Sequence, residues 1–278
     1  MIPVPTADRV KELRERTGAG IMDCKAALQE SGGDLEKASD FLRKKGLASA
    51  AKRAGREAKE GVIAVRVAGK KAAIVEVNCE TDFVARTDDF KALASLTLDQ
   101  VLAQGEAAAS SETVSQRLAE LSGKIGEKML VRRAKVVETH GTVFSYVHSN
   151  QKLGVLVELS SAPRDASGED LGKNLAMQIA ASNPLCVKRA EVPAATLERE
   201  KAIYREEVKG KPDNILEKIV QGKLDKFYQS NCLLEQPYIK DDKMTVQKLL
   251  DEGSKSASEK IEVVRFVRFQ LGETLPAS

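Results

Sequence analysis

Apolar residues recur every three or four positions in three short stretches near the amino terminus, which is the period of an amphipathic helix. Glycines separate the stretches, with Gly18 after the first, Gly32 and Gly33 after the second and Gly46 after the third. The pattern predicts a three-helix bundle over residues 1–46, with a third helix that ends at Gly46. The residues predicted to face its small core are Ala7, Val10, Leu13, Thr17, Ile21, Cys24, Leu28, Leu35, Ala38, Phe41 and Leu42.

A different pattern begins near residue 61, where short runs rich in valine and isoleucine replace the helical period. Runs at 62–67 and 72–78 are separated by the tetrapeptide Ala-Gly-Lys-Lys, which is typical of a strand hairpin. Helical spacing follows over 88–104 and 111–122, and a third strand-like run covers 129–137. These runs predict a strand-strand-helix-strand unit.

The same order of elements is repeated from residue 141 onward. Strand-like runs at 142–148 and 153–160 flank a Ser-Asn turn, a helical pattern covers 170–182, and a last strand-like run covers 263–269. We therefore predict an α+β fold with a duplicated strand-strand-helix-strand core and antiparallel sheets.

An insertion at 193–230 interrupts the second copy. It contains two amphipathic helical patterns on either side of a Gly-Lys-Pro turn at 210–212, which predicts an antiparallel helical hairpin or coiled coil. Two helices that face only each other bury little apolar surface. We expect the hairpin to pack against another surface, and a homodimer through it is one possibility.

These patterns divide the chain into five predicted regions. They are a three-helix domain at 1–46, a basic linker at 47–60, a first core subdomain at 61–139, a second core subdomain at 140–192 and 231–278, and the inserted hairpin at 193–230.

Positive charge is concentrated in one segment, residues 43–59, which holds seven basic side chains and one acid, Glu57. The whole chain carries only +3, with 44 basic and 41 acidic residues, so bulk charge does not indicate a nucleic-acid or membrane partner. The segment is interpreted as a solvated linker. The alternative is a phosphate-binding stripe on RNA, but no aromatic residue is interspersed to stack on bases.

Composition excludes several classes of protein. A chain of 278 residues with 42% apolar and 31% charged residues is long enough for about two globular domains and is unlike a disordered chain. The start lacks the pattern of a signal peptide, and no stretch approaches the roughly 18 apolar residues of a membrane span, so we expect a cytoplasmic protein without membrane contact. The four cysteines are never spaced as Cys-x-x-Cys, which predicts buried reduced thiols.

Catalytic constellations are not evident in the sequence. The glycines at 168 and 172 are one residue too close for a phosphate loop, and Gly18 and Gly20 lack the third glycine of a dinucleotide site. His140 and His148 are the two histidines, and neither lies in a nucleophile motif. We expect a protein that is not an enzyme and has no cofactor or metal ion.

The segment 78–86 places an aromatic residue, Phe83, at a chain reversal among acids that include Glu80 and Asp82. Because Phe90 follows at helical spacing, the pattern favours a core position for Phe83. The alternative is an exposed anchor that enters a pocket of a partner protein.

Six segments in matching order make the chain similar to the bacterial translation elongation factor Ts family, over about residues 7 to 273. The two longest are VKELRERTGAGIMDCKAAL at 10–28 and VEVNCETDFVA at 75–85. The others are 124–127, 146–148, 179–184 and 220–227.

The resemblance implies a guanine-nucleotide exchange factor for the GTPase elongation factor Tu. Such a factor binds the GDP-bound and nucleotide-free GTPase and promotes GDP release during translation elongation by disturbing the Mg²⁺ and phosphate site. The implied fold has a ubiquitin-associated-like three-helix domain, a duplicated α+β core and a protruding hairpin. The rival interpretation is a ribosome- or RNA-associated protein that uses the basic linker.

The resemblance also implies roles for individual residues. Asp82 and Phe83 would enter beside the Mg²⁺ and phosphates, and Ile239 would contact the third domain of the GTPase. Lys240 departs from the apolar residue typical of the family. The remaining implied contact residues are Arg14, Ile21, Met22 and Lys25 on the nucleotide domain, Ile125 and Gly126 near the phosphate loop, and His148 on the same docking surface.

Overall fold

The computed structural model of the protein describes residues 5–162, 166–210 and 212–274. The α-helices in these ranges are α1 Ala7–Thr17, α2 Ile21–Glu30, α3 Leu35–Arg53, α4 Asp82–Ala85, α5 Asp88–Gln104, α6 Glu112–Ile125, α7 Ala166–Ser182, α8 Ala194–Glu207, α9 Asp213–Asn231 and α10 Val246–Ala257. The strands are β1 Glu60–Ala68, β2 Lys71–Cys79, β3 Met129–Glu138, β4 Thr142–Val147, β5 Leu153–Leu159, β6 Pro237–Tyr238, β7 Asp241–Thr245 and β8 Val263–Gln270.

The strands form two three-stranded sheets of matching topology, ordered β1-β2-β3 and β4-β5-β8, and a two-stranded sheet of β6 and β7. In each larger sheet, two consecutive strands are followed by helix and then by the third strand. Strands β4 and β5 are antiparallel, with Thr142 opposite Leu159 and Val147 opposite Gly154. The predicted α+β class with a duplicated core is confirmed.

The chain forms two compact units. The first contains Met1–Ala64, Val75–Val136 and Gln270–Ser278, and the second contains Val65–Ile74 and Val137–Phe269. These limits differ from the predicted subdomains 61–139 and 140–192 with 231–278.

Hydrogen bonds within each unit account for the difference. In the second unit, Lys70 Nζ donates to the carbonyls of His140 and Gly141 over 2.9 and 2.7 Å, so the β1–β2 turn joins that unit. In the first unit, Arg133 donates to the carbonyl of Gln270 and forms a 2.7 Å ion pair with Glu273.

The amino-terminal helices pack around a core of Leu13, Cys24, Ala27, Leu28 and Ala38, and the periodicity predicts all of these except Ala27. Gly18 ends α1 with φ of +67°, a conformation that favours glycine. Three predicted core positions are wrong, because Ala7, Ile21 and Phe41 are exposed, the last two by 54% and 37%.

The predicted end of the third helix at Gly46 is also wrong, because α3 continues to Arg53 and absorbs half of the expected linker. Gly46 lies where α3 meets α6. A Cβ atom on Gly123 of α6 would lie 3.4 Å from the Gly46 Cα, so the two glycines allow the helices to approach closely. Here glycine serves helix packing and does not stop the helix.

Helices α8 and α9 form the predicted hairpin and pack through Val208, Val220 and Leu224. Lys211, in the predicted turn, lies outside the described residues. Ile203 and Ile215 are each 45% exposed on the hairpin. A homodimer through the hairpin stays a prediction.

Strands β6 and β7 and helix α10 were not predicted. Val246 and Leu250 of α10 are buried in the core of the second unit, and Thr245 caps the helix by accepting the Lys248 N–H. The spacing of these apolar residues after a threonine was a usable signal for the helix.

The four cysteines are free and buried, as predicted. The glycines at 168 and 172 lie within α7, which agrees with the rejection of a phosphate loop there. Gly172 faces Phe144 of β4 in the core of the second unit, where a Cβ atom would overlap the phenylalanine ring.

Gly172→Ala is expected to destabilise the protein by about 1–3 kcal/mol, because the added methyl group overpacks a site that Phe144 already fills. Gly222→Ala is the matched control. Gly222 lies in α9, and beyond its own helix backbone no atom of the described residues comes within 4 Å of the place that a Cβ would occupy. Alanine there should stabilise the helix by about 0.5–1 kcal/mol. Urea unfolding measures both, and equal effects of the two substitutions would contradict the packing account.

Candidate protein-docking site

The turn after β2 holds the aromatic residue that the sequence singled out. Thr81 caps the four-residue helix α4, and its Oγ1 accepts the N–H of Val84 over 3.4 Å. Val84 and Ala85 are buried, whereas Phe83 is 79% exposed. The core interpretation of Phe83 is therefore wrong, because the single helical turn directs its neighbours inward and leaves the ring in solvent.

Asp82 lies beside Phe83 at the start of α4. Its carboxylate is 2.8 Å from the guanidinium of Arg86, one turn later, and both side chains are substantially exposed. An exposed pair of this kind contributes little stability. The acid and its partner are free to exchange this contact for one with another molecule.

Glu127 fixes the backbone of the same turn. Its Oε2 accepts the N–H groups of Glu80 and Thr81 over 3.2 and 3.1 Å, and its Oε1 accepts the Thr81 hydroxyl over 2.6 Å. The sequence-based prediction of the site does not include Glu127. Nothing in the sequence indicates that a carboxylate would reach Thr81, which lies 46 positions earlier.

Ile125 and Gly126 immediately precede Glu127. Gly126 ends α6 with φ of +87°, and its N–H bonds to the carbonyl of Ser122 over 2.9 Å. The Ser122 hydroxyl donates to the Glu127 carbonyl over 2.6 Å. The structure thus joins the Ile125–Gly126 segment to the turn that carries Asp82 and Phe83.

Glu80 makes the reciprocal contact. Its Oε1 accepts the N–H of Lys128 over 2.6 Å and a guanidinium N–H of Arg56 over 3.2 Å. The hydrogen bond from Lys128, assisted by Arg56, lowers the pKa of the Glu80 carboxyl below its ordinary value. Two carboxylates therefore cross-link residues 80–81, just before the exposed ring, to residues 127–128 between α6 and β3.

The corner between α1 and α2 presents a second exposed surface in the same unit. Met22 is 73% exposed and Ile21 54%, and Arg14 and Lys25 are exposed near them in sequence. The Thr17 hydroxyl donates to the Leu13 carbonyl over 2.7 Å and accepts the N–H of Ala19 over 3.3 Å. These bonds hold the corner in one conformation.

Burial of Cys24 fixes the other side of this corner. Its Sγ lies 3.6 Å from the Ala19 carbonyl, and burial raises the pKa of the thiol. The thiol is thus a neutral packing group in the bundle, and the side chains presented to solvent are Ile21 and Met22.

The basic segment 43–59 is largely engaged within the protein. Its cations contact protein groups through the pairs Lys45–Asp23, Arg43–Glu112, Arg53–Ser122, Arg56–Glu80 and Lys59–Glu57. Lys44 and Lys52 are exposed. Four of its seven cations thus lie beside carboxylates and Arg53 bonds to Ser122, and the absence of a nucleic-acid partner stays a prediction.

In the second unit, His148 lies directly after β4 and is exposed. The Tyr146 hydroxyl lies 2.9 Å from its Nδ1. The backbone N–H of His148 donates to the carbonyl of Leu153 over 2.9 Å, which closes the turn between β4 and β5. The imidazole is held at the end of the sheet and faces solvent.

Ile239 lies between β6 and β7, also in the second unit, and is 44% exposed. Its N–H donates over 2.8 Å to Oε1 of Gln178, a buried residue of α7. Lys240 is exposed and donates to Asn174 Oδ1 over 2.7 Å. The sequence-based prediction of the site does not include Gln178. A polar residue three positions after Leu175, on an otherwise apolar helix face, was a usable signal for a buried hydrogen-bonding role.

The sequence-predicted site residues thus lie in both units. The first unit holds Arg14, Ile21, Met22, Lys25, Asp82, Phe83, Ile125 and Gly126, and the second holds His148 and Ile239. Over the described residues, no three His, Cys, Asp or Glu side chains are grouped to hold a metal ion. Within those same ranges, no helix has the length and apolar character needed to cross a membrane.

Comparison with known proteins gives one consistent family. A family model described as "Elongation factor TS" matches residues 80–273. A protein of Prosthecochloris aestuarii named "Elongation factor Ts" is 46% identical over 284 residues, which cover 96% of this chain and 98% of the relative.

Two further relatives carry the same name. The protein of Nitratidesulfovibrio vulgaris is 46% identical over 282 residues, which cover 98% of this chain and 97% of the relative. The protein of Methylorubrum extorquens is 48% identical over 283 residues, with 96% and 92% covered.

The lowered pKa of Glu80 predicts a pH-dependent contribution to stability. A depressed folded-state pKa stabilises the protein above the ordinary glutamate value of about 4.3, and this contribution is lost as the pH falls through the folded-state pKa. Glu80→Gln should therefore be less stable than the wild type at pH 7, and the difference should shrink below about pH 4. Urea unfolding at both pH values measures this, and a difference that is independent of pH would contradict it.

Proposed function

This chain belongs to the elongation factor Ts family, and on that premise we propose that it is a guanine-nucleotide exchange factor for the translational GTPase elongation factor Tu. It acts in the cytoplasm during translation elongation. It binds the GDP-bound GTPase, weakens the Mg²⁺ and phosphate site, and remains bound to the nucleotide-free form until a new nucleotide enters.

Exchange of this kind needs no covalent chemistry. The factor must bind the empty GTPase more tightly than the GDP-bound GTPase, and by linkage it then weakens GDP binding by the same factor. Each tenfold preference corresponds to about 1.4 kcal/mol. The site therefore has to provide contacts that form only when the nucleotide pocket is distorted.

The exposure of Phe83 is the observation that supports the proposal most directly. A phenylalanine that is 79% exposed, on a turn whose backbone is fixed by Glu127, is a ring presented for burial elsewhere. Aromatic side chains that enter a partner's pocket contribute a large share of binding energy. The ring acts as a wedge beside the phosphates, and the adjacent Asp82 carboxylate repels them and competes for their cationic partners.

The remaining site residues supply affinity around the wedge. Ile21 and Met22 offer an apolar patch to the nucleotide domain of the GTPase, with Arg14 and Lys25 as flanking cations. Ile125 and Gly126 act near the phosphate loop because Glu127 joins them to the Phe83 turn. Because the factor binds several regions of the GTPase at once, the effective concentration of each contact is raised.

The second unit contributes two further contacts. His148 lies on the docking surface, and its ring orientation is supported by Tyr146. Ile239 touches the third domain of the GTPase, and Lys240 beside it adds a positive charge at an exposed position. An acidic group on the GTPase would complement this contact.

Phe83→Ala is expected to slow factor-stimulated GDP release by about tenfold or more, because the truncated side chain cannot fill the distorted pocket. The fold should persist, since the ring contributes little to the core. Release of fluorescent GDP from elongation factor Tu, with and without this chain, measures the effect.

Phe41→Ala is the matched control, because Phe41 is a solvent-exposed phenylalanine on α3 to which no role in exchange is assigned. It should leave the release rate unchanged. Wild-type rates from the Phe83→Ala variant, or no acceleration by the wild-type chain, would refute the proposal.

A further inference from the structure

We infer that Glu127 is a positioning residue of the exchange site, whose carboxylate holds the turn that presents Phe83. The inference rests on the proposed function for its consequence in exchange, but the ordering of the turn can be measured without the GTPase. Glu127 contacts the backbone of the turn and the Thr81 side chain, and it acts through Phe83.

Packing of the Phe83 side chain does not fix the position of its ring. Its ring is 79% exposed, so few packing contacts restrict it. Helix α4 has only four residues, and one helical turn is not stable by itself. The order of the turn must come from the buried pair Val84 and Ala85 on one side and from hydrogen bonds at Thr81 on the other.

Glu127 supplies the strongest of these hydrogen bonds. One carboxylate accepts three donors, two of which are backbone N–H groups in the chain reversal and one the Thr81 hydroxyl. Bonds to a charged acceptor are shorter and stronger than neutral ones. Without the carboxylate, the N–H groups of Glu80 and Thr81 lose their acceptor and the Thr81 cap loses its orientation.

Glu127 is itself held in place. Its carbonyl accepts the Ser122 hydroxyl over 2.6 Å, and the following residue, Lys128, donates its N–H to Glu80 over 2.6 Å. Lys128 Nζ also donates to the carbonyls of Ala54 and Arg56 over 2.6 and 2.7 Å. The carboxylate therefore transmits the rigidity of the α6–β3 connection to the turn.

The role is local, because Glu127 is only half-buried and is not part of an apolar core. Its removal opens no apolar cavity. We therefore expect Glu127→Ala to keep its secondary structure while the turn gains mobility.

The first experiment measures that mobility directly. The chain contains no tryptophan, so Phe83→Trp introduces a single reporter at the position in question. Time-resolved fluorescence anisotropy of the free protein should show a larger fast-motion amplitude in Phe83→Trp/Glu127→Ala than in Phe83→Trp. Glu127→Gln in the same background should lie between them, because its amide oxygen still accepts the two N–H groups.

The second experiment is a double-mutant cycle on stimulated GDP release. Glu127→Ala should slow release by about tenfold, and adding it to Phe83→Ala should cause less than a twofold further loss, because the positioned ring is already absent. Glu106→Ala is the matched control. Glu106 is also a carboxylate that accepts a backbone N–H, from Val136 over 3.1 Å, and its loss should leave the release rate unchanged.

The outcomes separate the two claims. Unchanged anisotropy in the Glu127→Ala variant, or fully multiplicative losses in the cycle, would overturn the positioning role. If the anisotropy changes as expected but the wild-type chain does not accelerate GDP release, the positioning role stands and the proposed function fails.

Discussion

The hydrogen bonds between the Glu127 carboxylate and the turn at Glu80 and Thr81 are the constraint on which the exposed site depends. An aromatic ring in water gains nothing from its own surroundings, so its position must be imposed by the backbone that carries it. Here Val84 and Ala85 anchor one side of the turn in the core, and Glu127 anchors the other. The backbone contacts of the turn thus fix the position of a ring that is not held in place by burial of its own surface.

This arrangement suits a protein that works by differential binding. A ring already fixed in its final orientation loses little conformational entropy when it enters a pocket, so more of its burial remains as binding energy. The corner of α1 and α2 follows the same design, with Thr17 and Cys24 fixing the backbone and Ile21 and Met22 facing solvent. In both places polar or buried groups provide rigidity, and exposed apolar side chains are available to the partner.

Much of the fold was predictable because its signals are local and repeated. Periodicity and glycine stops predict α1 and α2, and the two strand-strand-helix-strand units are visible as a repeat. The end of α3 was not predictable, because the role of Gly46 is set by its contact with Gly123, far along the chain. The site shows the same limit: family motifs identify Phe83, but its exposure follows from a four-residue helix too short for any period, and Glu127 reaches it only through tertiary structure.

The proposed exchange activity requires this chain to bind nucleotide-free elongation factor Tu more tightly than the GDP-bound form. Isothermal titration calorimetry of the chain against nucleotide-free and GDP-saturated elongation factor Tu measures that preference directly. We expect at least about tenfold tighter binding to the empty form, a difference of about 1.4 kcal/mol or more, with GDP affinity reduced by the same factor in the complex. Equal affinity for the two forms would contradict the account.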